Sequence, residues 1–171
     1  MSEGYKRHSH EHREHLAGEF RWGDIGQLVF VFVFIVGTIL DLFLLKLSDS
    51  WQDVFSWYFR VVVFVILLLV AGYFAQRAHK KVFHEERKEL MVIDTDVFAI
   101  IRHPMYFGSI LTYLGFVVLS ASVIALVIFF IVVIFYYYLC RYEEKLLIEK
   151  LGDKYRNYME KVPMLIPWIG K

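Results

Sequence analysis

Residues 104–145, PMYFGSILTYLGFVVLSASVIALVIFFIVVIFYYYLCRYEEK, decide the fold. Two apolar runs, 104–119 and 121–140, are parted only by Ser-Ala-Ser at 120–122, and no charge appears until Arg141. A helix crossing a hydrocarbon core of about 30 Å needs about 20 residues at 1.5 Å each, so the second run fits and the first is slightly short. In lipid an open strand leaves backbone groups unsatisfied, so both runs are expected to be helical. A break this short and uncharged predicts a tight helical hairpin. The start of the first helix and the end of the second then lie side by side on one face of the bilayer.

Outward from the hairpin, two further runs precede it. Residues 27–47 carry only Asp41 and Lys46 as charges, and residues 54–75 carry only Arg60. With 58% hydrophobic residues overall and the charge confined between the runs, the pattern is that of an integral membrane protein. The expected fold class is all-α, with about four transmembrane helices and a C-terminal amphipathic helix. Three regions follow: a polar His-rich tail (1–26), the first two spans (27–75), and a region bearing the chemistry (76–171). Nucleic acid is not an expected partner, because the basic residues flank apolar runs instead of clustering on one face. A single cysteine, Cys140, rules out an internal disulfide. No cleavable signal peptide is expected, since the first apolar run is too long for one and lacks a small-residue cleavage site.

Lys and Arg set the expected orientation. Residues 1–26 hold Lys6, Arg7, Arg13 and Arg21, the 76–103 connection holds six, and the tail from Arg141 holds seven. The opposite side has Lys46 alone in its loops. The positive-inside rule therefore places both termini and the long connection in the cytoplasm. Asp41 and Arg60 fall at similar depth near the other face, and the expectation is an ion pair joining the first two spans. The tract HSHEHREH at 8–15 has four histidines but no rigid scaffold, so a solvated tail is expected and no metal site. No G-x-x-x-G stretch marks a dimer seam, which leaves the oligomeric state open.

Chemistry must come from the connection, the tail and the adjacent helix ends. Pro104 suits a first helical turn, where its missing N–H costs nothing. Arg102 and His103 then stand at a helix N-terminus, where free amides, helix dipole and guanidinium favour an anion. Across the hairpin, Arg141, Glu143 and Glu144 return to the same level. Leu147, Leu151, Tyr155 and Tyr158 recur at helical spacing in EEKLLIEKLGDKYRNYMEK, which predicts an amphipathic helix lying over the site. Cations facing carboxylates suit a zwitterion carrying a carboxylate and an ammonium. The methionine end of S-adenosylmethionine has that pattern, and so does a zwitterionic lipid headgroup.

RHPMYFG at 102–108, the apolar hairpin, RYEEKLLIEKLGDKY and YMEKVPMLIP together resemble the isoprenylcysteine carboxyl methyltransferase family and its phospholipid methyltransferase relatives. The resemblance covers roughly residues 80–168. It implies a multi-span helical enzyme that binds S-adenosylmethionine near the cytoplasmic face and releases S-adenosylhomocysteine. No Rossmann domain is implied, and the sequence has no G-x-G-x-x-G. By motif, His103, Pro104, Met105 and Tyr106 contact the cofactor, one of Glu143 and Glu144 holds its amine, and Leu90, Met91, Val92, Ile93 and Phe98 wrap it. Arg102, Arg141 and Glu144 are the implied catalytic residues.

Two departures stand out. A Gly-x-Tyr common in the family is Asp96-Val97-Phe98 here, which removes a hydroxyl and predicts a different turn. The substrate-side Arg of eukaryotic members has Arg141 as its nearest match, at shorter spacing. The compact N-terminal part suggests a prokaryotic-type member in a plasma membrane. The implied acceptor is lipophilic and enters from the bilayer, an isoprenylcysteine carboxylate first, with a phospholipid amine or a small thiol as alternatives. A non-catalytic scaffold or carrier retaining the fold is the reading from another class.

Overall fold

The computed structural model describes residues 21–52, 54–83 and 91–167. The His-rich tract and Leu90 lie outside them. Among the described residues the fold is all-α. α1 (Arg21–Leu40) continues into a π-turn at Asp41–Leu45, followed by a short α2 (Asp49–Gln52) and α3 (Trp57–Phe83). A 3-10 turn (Asp96–Ala99) leads to α4 (Pro104–Ser120), α5 (Val123–Leu151) and α6 (Asp153–Lys161). Three stretches, Ile25–Leu45, Trp57–Val82 and Val123–Leu151, are long and apolar enough to cross a membrane, and α4 is shorter at 17 residues. This is an integral membrane architecture, with aliphatic side chains such as Leu28, Leu69 and Ile134 left exposed for lipid.

Two helices outrun the expected spans. α3 continues past residue 75 to Phe83, and α5 runs 29 residues without a break, about 43 Å at 1.5 Å per residue. The last turns of α5 therefore carry Glu143 and Glu144 onward from the apolar core. The expected single amphipathic helix is in fact two pieces. Gly152 takes φ 58°, closes the end of α5, and starts α6 at a new angle. The expected apolar face survives the break: Tyr155, Tyr158 and Val162 form a buried cluster against Leu147, Ile148, Leu151, Met159 and Val92.

The helices stand in the spatial order α3, α4, α5, α1, with α1 packed on α5 rather than on α3. The α3–α4 seam is the closest. A Cβ on Gly108 would meet the Ala71 carbonyl at 2.9 Å, and one on Gly115 would meet Phe64 at 3.1 Å. Small residues let backbones approach in lipid, where dispersion replaces the hydrophobic effect as the driving force. Their spacing here is not G-x-x-x-G, so the seam is invisible to that motif. The main core lies between α1, α4 and α5, around Phe34, Tyr113, Phe129, Val132 and Tyr136.

The turn between α4 and α5 is the expected tight hairpin, but the charge beside it is used differently from expectation. Ala121 sits at φ 49°, in the left-handed region, and Ser122 caps α5 by accepting from the Ala125 amide at 3.1 Å. Fully buried Asp41 accepts from the Ser48 and Ser122 hydroxyls and from the Ile124 amide at 3.3 Å, and Ser48 accepts from the Val123 amide at 2.8 Å. Three free amides at the start of α5 are thereby satisfied, with a carboxylate at the positive end of the dipole. No ion pair joins Asp41 to Arg60. Arg60 instead donates to the Leu119 carbonyl at 3.2 Å, and its guanidinium lies 5.6 Å from the Trp57 ring centre. Two serine hydroxyls and one helix amide compensate Asp41 Oδ2 without a cation, and Oδ1 stays buried without a partner. Asp41→Ala should therefore cost about 1–3 kcal/mol in unfolding from detergent micelles, the range for stranding buried partners. Arg60→Ala should cost clearly less, and equal losses would restore the ion-pair explanation.

Candidate functional site

The hairpin brings the 101–106 segment against the end of α5. His103 takes a non-helical φ of −122° just before α4, whose first residue is the buried Pro104. Both His103 and Glu144 are buried, the latter 2% exposed. Arg102 Nε lies 2.9 Å from Glu144 Oε1, close enough for an ion pair but not aligned as a hydrogen bond. His103 reaches both carboxylates, with Nδ1 3.6 Å from Glu143 and Nε2 3.4 Å from Glu144. The Tyr106 hydroxyl donates to Glu143 and its ring stacks near His103. Cations and carboxylates expected to face each other are thus in one cluster.

The C-terminal segment closes over this cluster. The Arg102 and His103 amides donate to the carbonyls of Pro163 (2.9 Å) and Met164 (3.2 Å). Arg102 Nη1 donates to the Met159 carbonyl at 3.1 Å, so its guanidinium ties α6 to Glu144. Tyr158 donates to the Phe98 carbonyl at 2.6 Å. Burial pushes the Tyr158 and Tyr155 phenols up, which keeps both protonated. Burial also works against a charged His103, but the Cys140, Glu143 and Glu144 side chains facing it outweigh that, holding its pKa well above the ordinary 6.5.

Other expected residues fall at different distances from this centre. Val92 packs against the Tyr155–Tyr158 cluster, while Met91 is exposed and Phe98 contributes its carbonyl. Met105 is 38% exposed. Arg141 is 61% exposed, and its Nη1 approaches Glu144 only to 4.0 Å, so it stands at the margin. The turn expected to differ at Asp96 has φ 59°, the left-handed conformation that glycine adopts at least cost and aspartate tolerates. Arg77 of α3 pairs with that carboxylate at 3.2 Å. Sequence reading missed the buried thiol of Cys140 beside His103 and the carbonyls of residues 159, 163 and 164. Cys140 lies three and four residues before Glu143 and Glu144, a spacing that places it on their side of α5.

The cluster has one conspicuous shortage. Both Glu144 oxygens and His103 Nε2 are buried without a hydrogen-bond partner. Such a carboxylate lacks a donor, and a primary ammonium supplies three. The amino-acid end of S-adenosylmethionine fits that need. Separately, a half-open cleft of about 940 Å³ lies among α1, α3 and α4, reaching Gln27, Ser109 and Tyr136 at its near end. The Tyr136 and Tyr106 rings, 5.3 Å apart, stand between cleft and cluster. The Tyr113 hydroxyl, buried and unpartnered, belongs to a cleft-lining residue.

A family profile described as phospholipid methyltransferase matches residues 61–154, which include α4, the RHP segment and all of α5. The chain belongs to the phospholipid methyltransferase family. Relatives carry thiol names. A methanethiol S-methyltransferase of Crocosphaera subtropica is 31% identical over 155 residues, 89% of this chain and 56% of that protein. Methanethiol S-methyltransferase 1 of Bradyrhizobium diazoefficiens is 35% identical over 72 residues, 42% of this chain and 25% of its own length. The Pseudomonas deceptionensis methanethiol S-methyltransferase is 37% identical over 71 residues, 42% of this chain and 26% of its own. The chain thus spans about half the length of the first of these and a quarter of the others. No solved structure matches it.

The raised His103 pKa has a sign that can be measured. A group charged more readily in the folded state stabilises fully below its unfolded value of about 6.5, and that stability is lost as pH rises through the folded value. The stability difference between wild type and His103→Gln should therefore narrow as pH rises from about 6 to 9. A constant or widening difference in urea midpoints contradicts the paired imidazolium.

Proposed function

We propose that the chain is a membrane-embedded, S-adenosylmethionine-dependent methyltransferase whose acceptor is a small thiol. The observation that carries the reading is the buried, donor-starved Glu144 carboxylate set between Arg102 and His103. Membership of the family supports methyl transfer, and the names of the three relatives support a thiol over the isoprenylcysteine carboxylate suggested by the motifs. S-adenosylmethionine, when bound, supplies a methyl group already activated on a positively charged sulfur.

The protein's share of the work is then placement and exclusion of water. Glu144 takes the cofactor's ammonium, and protonated His103 offers positive charge to its carboxylate. Glu143 is oriented by the Tyr106 hydroxyl. Arg102 pairs with Glu144 and pins the 159–164 segment as a cover. Met91–Ile93 and Phe98 are the approach that borders the cofactor, with Leu90 preceding them, and exposed Arg141 meets solvent at the rim. A thiol ionises readily and is strongly nucleophilic, so no strong base is required beside it. Residues 76–171 form the catalytic region in this reading. The charge count of the loops supports both termini facing the cytoplasm, in a prokaryotic plasma membrane.

A tritiated-methyl assay on the full chain in lipid nanodiscs tests the acceptor. Methanethiol should be labelled at least about tenfold faster than a farnesylated cysteine analogue or phosphatidylethanolamine, a difference of about 1.4 kcal/mol. Preference for either of those acceptors overturns the thiol assignment. Labelling of none of the three overturns the enzyme itself.

A further inference from the structure

The cleft among α1, α3 and α4 is much larger than a one-carbon thiol, and most of it lies away from the charged cluster. Its 940 Å³ places it among pockets that hold whole ligands. Along α4 it runs from Ser109 to Ser120, about 16 Å at 1.5 Å per residue. One leaflet supplies half of a hydrocarbon core of about 30 Å. The cleft is therefore as long as one leaflet is deep, and its walls between those ends are mainly apolar, with Phe34, Ile35 and Phe116 among them.

Arg60 stands at the end remote from His103. Its Nη1 is used on the Leu119 carbonyl, but its Nε is buried without a partner. Asp41, the acid that belongs to this depth, makes no ion pair with Arg60 and turns its Oδ2 to Ser48, Ser122 and Ile124. Trp57, of the residue type favoured at membrane interfaces, lies against the guanidinium and lines the same cleft. A guanidinium at headgroup depth above an apolar slot one leaflet long is complementary to one kind of molecule.

We propose that the cleft is a phospholipid site, in which one acyl chain from the leaflet remote from the charged cluster lies along α4 with its phosphate on Arg60. The chain fills the apolar length and leaves the near end, at Gln27, Ser109 and Tyr136, for a small acceptor. This site is separate from the cofactor cluster and stands whether or not methyl transfer to a thiol is confirmed.

The test uses the full chain in phosphatidylglycerol vesicles containing a small fraction of phosphatidylglycerol with a diazirine-bearing acyl chain. Photolabelled residues are mapped by mass spectrometry. Labelling at Phe34 and Phe116 should exceed that at Leu69, which is 69% exposed on α3. Arg60→Gln should lower the cleft labelling about tenfold, the loss of one charge-assisted contact, while Arg60→Lys retains most of it. Thr112→Phe, which fills the slot and leaves Arg60 in place, should lower it as well, and decides the matter if Arg60→Gln does not fold. Cleft labelling no greater than at Leu69, or unchanged in both Arg60→Gln and Thr112→Phe, overturns the proposal. So does labelling that decanethiol displaces while Arg60→Gln has no effect, because the cleft then belongs to the acceptor.

Discussion

Everything near the site depends on the burial of one carboxylate. Glu144, 2% exposed, lies at the end of a helix that has just crossed the apolar core. An isolated ionised carboxylate there is very costly, so it persists only with cations beside it. Those cations come from the segment before α4, and the hairpin is what carries that segment to the same depth. Arg102 then reaches onward to the carbonyls of α6 and the following residues, by side chain to Met159 and by backbone to Pro163. The cover of the site is thus held by the same residue that stabilises its carboxylate. Removing the guanidinium loosens two elements at once.

The opposite end of α5 is fixed by a second buried carboxylate used in another way. Asp41 has no cation; its Oδ2 accepts from two serines and a helix amide, while Oδ1 is buried without a hydrogen-bond partner. It belongs to the π-turn that ends α1, so the cap also fixes where α1 meets α5. With one end anchored by amides and the other by an ion pair, α5 serves as the axis on which the rest is arranged. Neither device needs a large soluble domain. That economy suits a chain whose helices mostly face lipid.

Much of this was legible in the sequence. The four runs, the hairpin at 120–122 and the convergence of Arg102 and His103 on Glu143 and Glu144 follow from apolar length and connection length alone. What escaped has physical reasons. Asp41 and Arg60 share a depth, but depth does not give azimuth, and the helix order α3, α4, α5, α1 holds the first two spans apart. The amphipathic pattern from 143 to 161 continues across Gly152, and periodicity cannot register a change of axis that preserves the buried face. A changed turn at Asp96 was expected from the lost Gly-x-Tyr, but its left-handed φ was not, because a residue other than glycine adopts it. Backbone carbonyls at 159, 163 and 164 leave no side-chain signature at all. The thiol proposed as acceptor rests on the names of relatives, since a small thiol demands few polar contacts and so leaves little for a motif to reveal.

The central claim is that Glu144 awaits an ammonium. Isothermal calorimetry of S-adenosylhomocysteine with the full chain in detergent tests it most directly, comparing wild type with the isosteric Glu144→Gln. Saturable binding should weaken roughly ten- to hundredfold in the variant, the loss expected for one charged hydrogen-bonded contact, with the helical circular dichroism unchanged. Equal affinity in the two proteins, or no binding to the wild type, contradicts the account.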